Sequence, residues 1–155
     1  MPYYYSVTSQ QNSNASANTD TFLANVKGAA AGQRLYIQKL QAGSYATPAD
    51  NAIRLRLQRT TTLLTSGSAY TPNSMVADAP AASSTATITP TGGVLATNPV
   101  VQLAFNQRGT GLWAAFTVDE AVGCVGSTAS NSEVVLDSQA TGSAVPISFK
   151  IIFSE

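Results

Sequence analysis

The chain has no histidine and one cysteine, so any chemistry it performs falls to eight carboxylates, eight cations and many hydroxyls. Histidine is the side chain whose unperturbed pKa lies nearest neutrality, and nothing replaces it here. A serine triad has no imidazole to use. Zinc would have to be held by carboxylates alone, which is unusual, and no Asp-x-Asp-x-Asp calcium loop is present. Asp119 and Glu120 are adjacent acids. On a strand their side chains would face opposite ways. Asp78 and Asp137 lie far apart in sequence, and a glycosidase pair would need them about 5–9.5 Å apart. Gly109-Thr110-Gly111 lacks the lysine and following helix of a phosphate loop. Cys124 sits in an apolar Ala-Val-Gly-Cys-Val-Gly run, as a small buried hydrophobe would. The expectation is no catalytic residue, no metal and no cofactor.

The side chains that could make contacts are more informative. Arg54, Arg56 and Arg59 form the basic cluster. Arg54 and Arg56 share a strand face with Gln58, either as a solvated, salt-bridged stripe or as a contact for an acidic neighbouring subunit. Arg59 falls on the Leu57 face and is expected to be partly buried, with Asp78, Asp119 or Asp137 as partner. Tyr3, Tyr4 and Tyr5 stand together in a polar segment, where aromatics dock on this subunit or a neighbour. Trp113 is expected to point outward, with Leu112, Ala114 and Phe116 facing the core, and an outward Trp is an interface hot-spot candidate. The interface candidates are therefore Tyr3, Tyr4, Tyr5, Arg54, Arg56 and Trp113.

Composition supports contact over catalysis. Only 10% of the 155 residues are charged, against roughly 25% in an average domain. The basic and acidic residues cancel, which argues against direct nucleic-acid binding. Hydrophobic residues make up 44%, enough for one core. No stretch approaches the ~20 apolar residues of a membrane helix, and Met1–Val7 does not read as a signal peptide.

The elements that would position these residues are mostly strands. Residues 1–20 are polar and read as a flexible N-terminal arm, leaving 21–155 as a single domain. Residues 21–26 are strand or helix; Arg34–Gln41 is strand, broken by Ala42-Gly43-Ser44, with a loop carrying Pro48 after it. Ile53, Leu55 and Leu57 alternate with Arg54, Arg56 and Gln58, a period of two. Ser66-Gly67-Ser68 reads as a turn, 69–83 as loop and 85–89 as a weak strand. Val100–Phe105 and Leu112–Val118 read as a hairpin around Asn106–Gly111. Short strands follow at 121–122 and 133–136, and Ile147, Phe149, Ile151 and Phe153 share one face of a closing strand too apolar for an edge. No helical stripe is sustained, so the fold expected is all-β: a β-sandwich or barrel of about eight strands.

One set of landmarks carries a resemblance. Arg59-Thr60-Thr61, Gly67-Ser68-Ala69, Tyr70-Thr71-Pro72, Phe105-Asn106-Gln107-Arg108-Gly109, Trp113 and Phe153-Ser154-Glu155 follow in order. Over about residues 33–155 this resembles the decoration or cement proteins of tailed-bacteriophage heads. The resemblance implies a jelly-roll-like β-sandwich, a homotrimer, the major capsid protein as partner, and a place on the virion surface after synthesis in the host cytoplasm. Another virion component (tail, neck or small coat protein), a carbohydrate-binding β-sandwich and an enzyme using carboxylates alone remain the alternatives.

Overall fold

The computed structural model describes residues 2–16, 19–46, 49–129, 132–140 and 142–155. Met1, Ala17, Asn18 and Pro48, which the sequence placed in arm and loop, lie outside them. Among the described residues the elements are thirteen strands and one 3-10 turn: β1 (Tyr4–Asn12), β2 (Thr21–Gly28), β3 (Arg34–Ser44), β4 (Ala52–Thr62), β5 (Ser66–Tyr70), β6 (Asn73–Ser74), β7 (Ser84–Thr91), β8 (Val94–Leu95), β9 (Val101–Asn106), β10 (Thr110–Ala114), β11 (Val122–Val125), β12 (Val134–Ala140) and β13 (Pro146–Ser154), with the 3-10 turn at Val118–Glu120.

The strands form two antiparallel sheets packed face to face, a β-sandwich. The first runs β10-β3-β13-β1-β6, with β11 also on β3; the second runs β5-β7-β2-β12-β4-β8, with β9 also on β4. Eight principal strands trace a jelly roll. In the first sheet β1, β13 and β3 are followed by the β10/β11 pair, and in the second β2, β12, β4 and β9 lie side by side. The segment between β4 and β9 is an insertion. It adds β5 and β7 beyond β2, β6 beyond β1, and β8 beside β4.

Alternation explains the core. Ile53, Leu55 and Leu57 of β4 are buried, as are Ile147, Phe149, Ile151 and Phe153 of β13, which lies between β1 and β3. Val134 and Leu136 of β12, and Leu35, Ile37 and Leu40 of β3, complete much of the interior. The long strands thus give alternate residues to one dry layer between the sheets, while the short β5, β6 and β8 bury none.

Several expectations are corrected. Residues 4–12 are not a free arm but strand β1, paired along its length with β13 from Tyr4↔Ser154 to Asn12↔Pro146. Its polar side chains Thr8 and Gln10 lie on the solvent face, and Tyr5 and Val7 enter the core. The domain therefore includes β1. Ser66-Gly67-Ser68 is not a turn: it opens edge strand β5, which pairs with β7. β3 runs on through Ala42-Gly43-Ser44. β9 and β10 are not hairpin partners, since β9 pairs with β4 and β10 with β3. The turn closed by Gly109 N–H donating to the Asn106 carbonyl at 2.8 Å carries the chain from one sheet to the other.

Candidate interaction surface

The two outer faces differ in how their polar groups are used. On the second sheet, β4 and β12 pair with Arg56 opposite Asp137 and Arg54 opposite Gln139. Arg56 Nε donates to Asp137 Oδ2 at 3.0 Å, and its Nη2 to the same oxygen at 2.5 Å. That Nη2 also reaches Asp20 Oδ1 at 2.6 Å, where Gln139 Nε2 donates as well. Arg54 Nη1 closes the chain of contacts on Gln139 Oε1 at 3.1 Å. Asp137 is fully buried. Burial pushes its carboxyl up to about 6, against the opposing pull of Arg56, with nearby Asp20 adding to the rise. Burial alone would lower the Arg56 pKa, but its bonds to and the charges of Asp137 and Asp20 hold it above its ordinary value. Arg56 is thus committed within the subunit and offers little to a partner. Arg54 stays exposed.

Glu133 ends the same outer row and is also fully buried. Its Oε1 accepts from Thr60 Oγ1 at 3.2 Å and from the Leu64 N–H at 2.7 Å; its Oε2 accepts from Asn25 Nδ2 at 3.0 Å and lies 3.8 Å from Lys27 Nζ. The carboxylate pins the crossing from β4 to β5. Gln58, next along β4, is covered too and donates to the Ala96 carbonyl. Carboxylates are rarely buried so completely unless paired, and both here are.

Among the described residues the first sheet's outer face has no comparable network. It presents Thr8 and Gln10 from β1, Ser148 and Lys150 from β13, Gln41 from β3, and Leu112 and Ala114 from β10. Apolar groups gather at its two edges. At the β10 edge Leu112 is 58% exposed, and beyond the strand Phe116 is 92% and Val118 55% exposed. Glu120 Oε2 accepts the Phe116 N–H at 2.8 Å, which holds the bend that presents the ring. At the opposite edge Tyr3, Tyr4, Met75 and Val76 are exposed, and Met75 N–H donates to the Tyr4 carbonyl at 2.9 Å. No protein-family model and no curated protein matches this chain.

The candidate residues therefore separate. Tyr3 and Tyr4 lie on an exposed edge. Tyr5 is core: it is 1% exposed, stacks on Phe153 with centroids 5.9 Å apart, and its hydroxyl donates to the Pro80 carbonyl at 3.0 Å. Trp113 is opposite in sense to the expectation. It packs against the core, while Leu112 and Phe116 face out. The cause is Gly111, whose absent Cβ would stand 2.7 Å from the Phe105 ring. Gly111 and Trp113 take the inward phase of β10, which closes over β9. Arg59 lies partly buried at one end of the sandwich, with Nη2 donating to the Gly123 carbonyl at 2.9 Å. Cys124 is buried, as expected, and burial pushes its thiol up to about 12.

Sequence reasoning missed Leu112, Phe116, Val118, Met75 and Val76 as surface groups. One signal was present: Thr117-Val118-Asp119-Glu120 follows Phe116 directly, and two adjacent acids mark a solvent-exposed bend. Nothing comparable marked Met75 and Val76.

Proposed function

We propose that this protein is a virion structural protein that decorates or cements a bacteriophage capsid, binding the major capsid protein and its own copies as a homotrimer. The observation that carries this reading is the pair of exposed apolar clusters at opposite edges of one sheet. Leu112, Phe116 and Val118 lie at the β10 edge, and Tyr3, Tyr4, Met75 and Val76 at the β6 edge. Two different patches on opposite edges suit a head-to-tail contact, which closes into a ring when the rotation allows. The weakly charged face between them would dock with a small desolvation cost, since few ions would have to leave water. The resemblance in residues 33–155 supplies the capsid as the partner surface, and the virion exterior as the location.

Light scattering on the eluted protein tests the ring, and co-sedimentation with empty capsid shells tests the docking. A trimer mass and pelleting with shells are expected. Phe116→Asp should leave the fold intact and yield a monomer. A wild-type protein that stays monomeric at all concentrations and does not pellet with shells overturns the reading.

A further inference from the structure

A cleft in the second sheet's outer face has features that the capsid role does not use. Thr89 of β7 has a φ of 49°, which a β-branched residue adopts only with strain. Register between β2 and β7 stops just before it, at Ala24↔Ile88, while β7 continues with β5 to Thr91↔Ser66. The kink turns the end of β7 away from the start of β2. A cleft of about 380 Å³ opens between them, lined by Asn14, Asp20, Thr21 and Phe22 on one side and by Thr89–Gly92 on the other. That volume is within the range of about 300–1,000 Å³ for small-molecule sites, and strained backbone gathers at such sites.

The lining has a defined chemistry. Phe22 is registered with outward-facing Asp137, so its ring stands on the outer face, half-buried and outside the core cluster. Asp20 is held by Arg56 Nη2 and Gln139 Nε2, both on Oδ1. Among the described residues no hydrogen bond falls on its Oδ2. Thr21, Thr89, Thr91 and Asn14 complete the lining, their hydroxyls and amide oxygen each keeping one bond within the chain, to the Asn14 N–H, the Ile88 carbonyl, Ser66 and the Ser16 N–H respectively. An aromatic face, a fixed acceptor and neutral hydroxyls suit a ring with C–H groups on one face and hydroxyls at its rim. The single charge in the lining is negative, which disfavours an anion, and one carboxylate is too few for a hard cation. We infer that this cleft binds a neutral saccharide, stacked on Phe22 and hydrogen-bonded by Asp20. The cleft lies on the other sheet from the two apolar edges of the proposed assembly, so it is tested on the isolated protein.

The experiment is an amide-resolved NMR titration with methyl α-glucoside, methyl β-galactoside, N-acetylglucosamine and maltose, with N-acetylneuraminate as the anionic arm. Saturable shifts at Asp20–Phe22 and Thr89–Gly92 are expected from at least one neutral sugar, with a dissociation constant on the order of 1 mM. Asp20→Asn and Phe22→Leu should each weaken binding about tenfold or more while keeping the wild-type melting transition. Asp20→Asn retains an acceptor for Arg56, so it reads ligand contact separately from folding. Absence of saturable shifts with all four sugars overturns the assignment. So do shifts that both variants leave unchanged, or equal binding of the anionic sugar.

Discussion

The two outer faces of this sandwich are built from the same sparse supply of charge and spend it differently. On the second sheet Asp137 and Glu133 are buried and held by Arg56, Lys27, Asn25, Thr60 and the Leu64 amide. Those groups tie β2, β4, β12 and the crossing to β5 together. On the first sheet the outward residues of β1, β3, β10 and β13 form no such network among the described residues, and apolar side chains are exposed at both edges. The lesson is that a low overall charge content says little about where the charges act. Here most ionic structure is internal bracing of one face, and the other face is left cheap to cover.

The sharpest way to break this contrast is to remove one half of a buried pair. Arg56→Met leaves Asp137 without its guanidinium and should cost about 3–5 kcal/mol in denaturant unfolding. That matches the cost expected for emptying the interior with Phe149→Ala, about 3–5 kcal/mol. A loss below 1 kcal/mol in Arg56→Met would mean that the second face is ordinary surface. Glu133→Gln comes next. It keeps the shape but loses the charge that receives three hydrogen bonds, and about 1–3 kcal/mol should go, with faster amide exchange at Leu64 as the local sign.

Of similar size is a pH effect with a definite sign. The Asp137 carboxyl titrates near 3.8 when unfolded and about 6 when folded, so the native state holds the extra proton between those values. Its contribution to stability is complete below about pH 4 and is lost as pH rises through about 6. Asp137→Asn should remove that decline from the stability profile between pH 4 and 7. An unchanged profile would place the titration elsewhere. The smallest effect belongs to the first face. Leu112→Lys should shift unfolding by no more than about 0.5 kcal/mol, yet lower self-association in light scattering. A large loss of stability there would erase the distinction between the faces.

Part of this arrangement was legible in the chain. The β13 and β4 alternations announced themselves because large apolar residues occupy every second position, and one sheet face is dry. β1 did not. Its inward phase begins with Tyr5 and Val7 and then passes to Ser9 and Gln11, whose Nε2 donates to the Leu23 carbonyl at 2.7 Å. A strand with two apolar residues on its buried side has no visible period, and its partner β13 is near the other end of the chain. Trp113 failed for a different reason. Gly111 has no side chain and Ala114 and Ala115 are alike, so the phase of β10 is set by the approach of Phe105, which local sequence does not contain. The buried acids were hidden in the same way. Glu133 and Asp137 flank Val134-Val135-Leu136, but their partners come from β2, β4 and residue 20.

The packing of Cys124 has a practical consequence. A thiol held near 12 and shut away from water is almost unreactive towards alkylating reagents while the chain is folded. It becomes an ordinary nucleophile as soon as β11 lifts from β3. With one sulfhydryl in the chain, the rate of its modification is a clock for opening events, readable by mass without introducing a label.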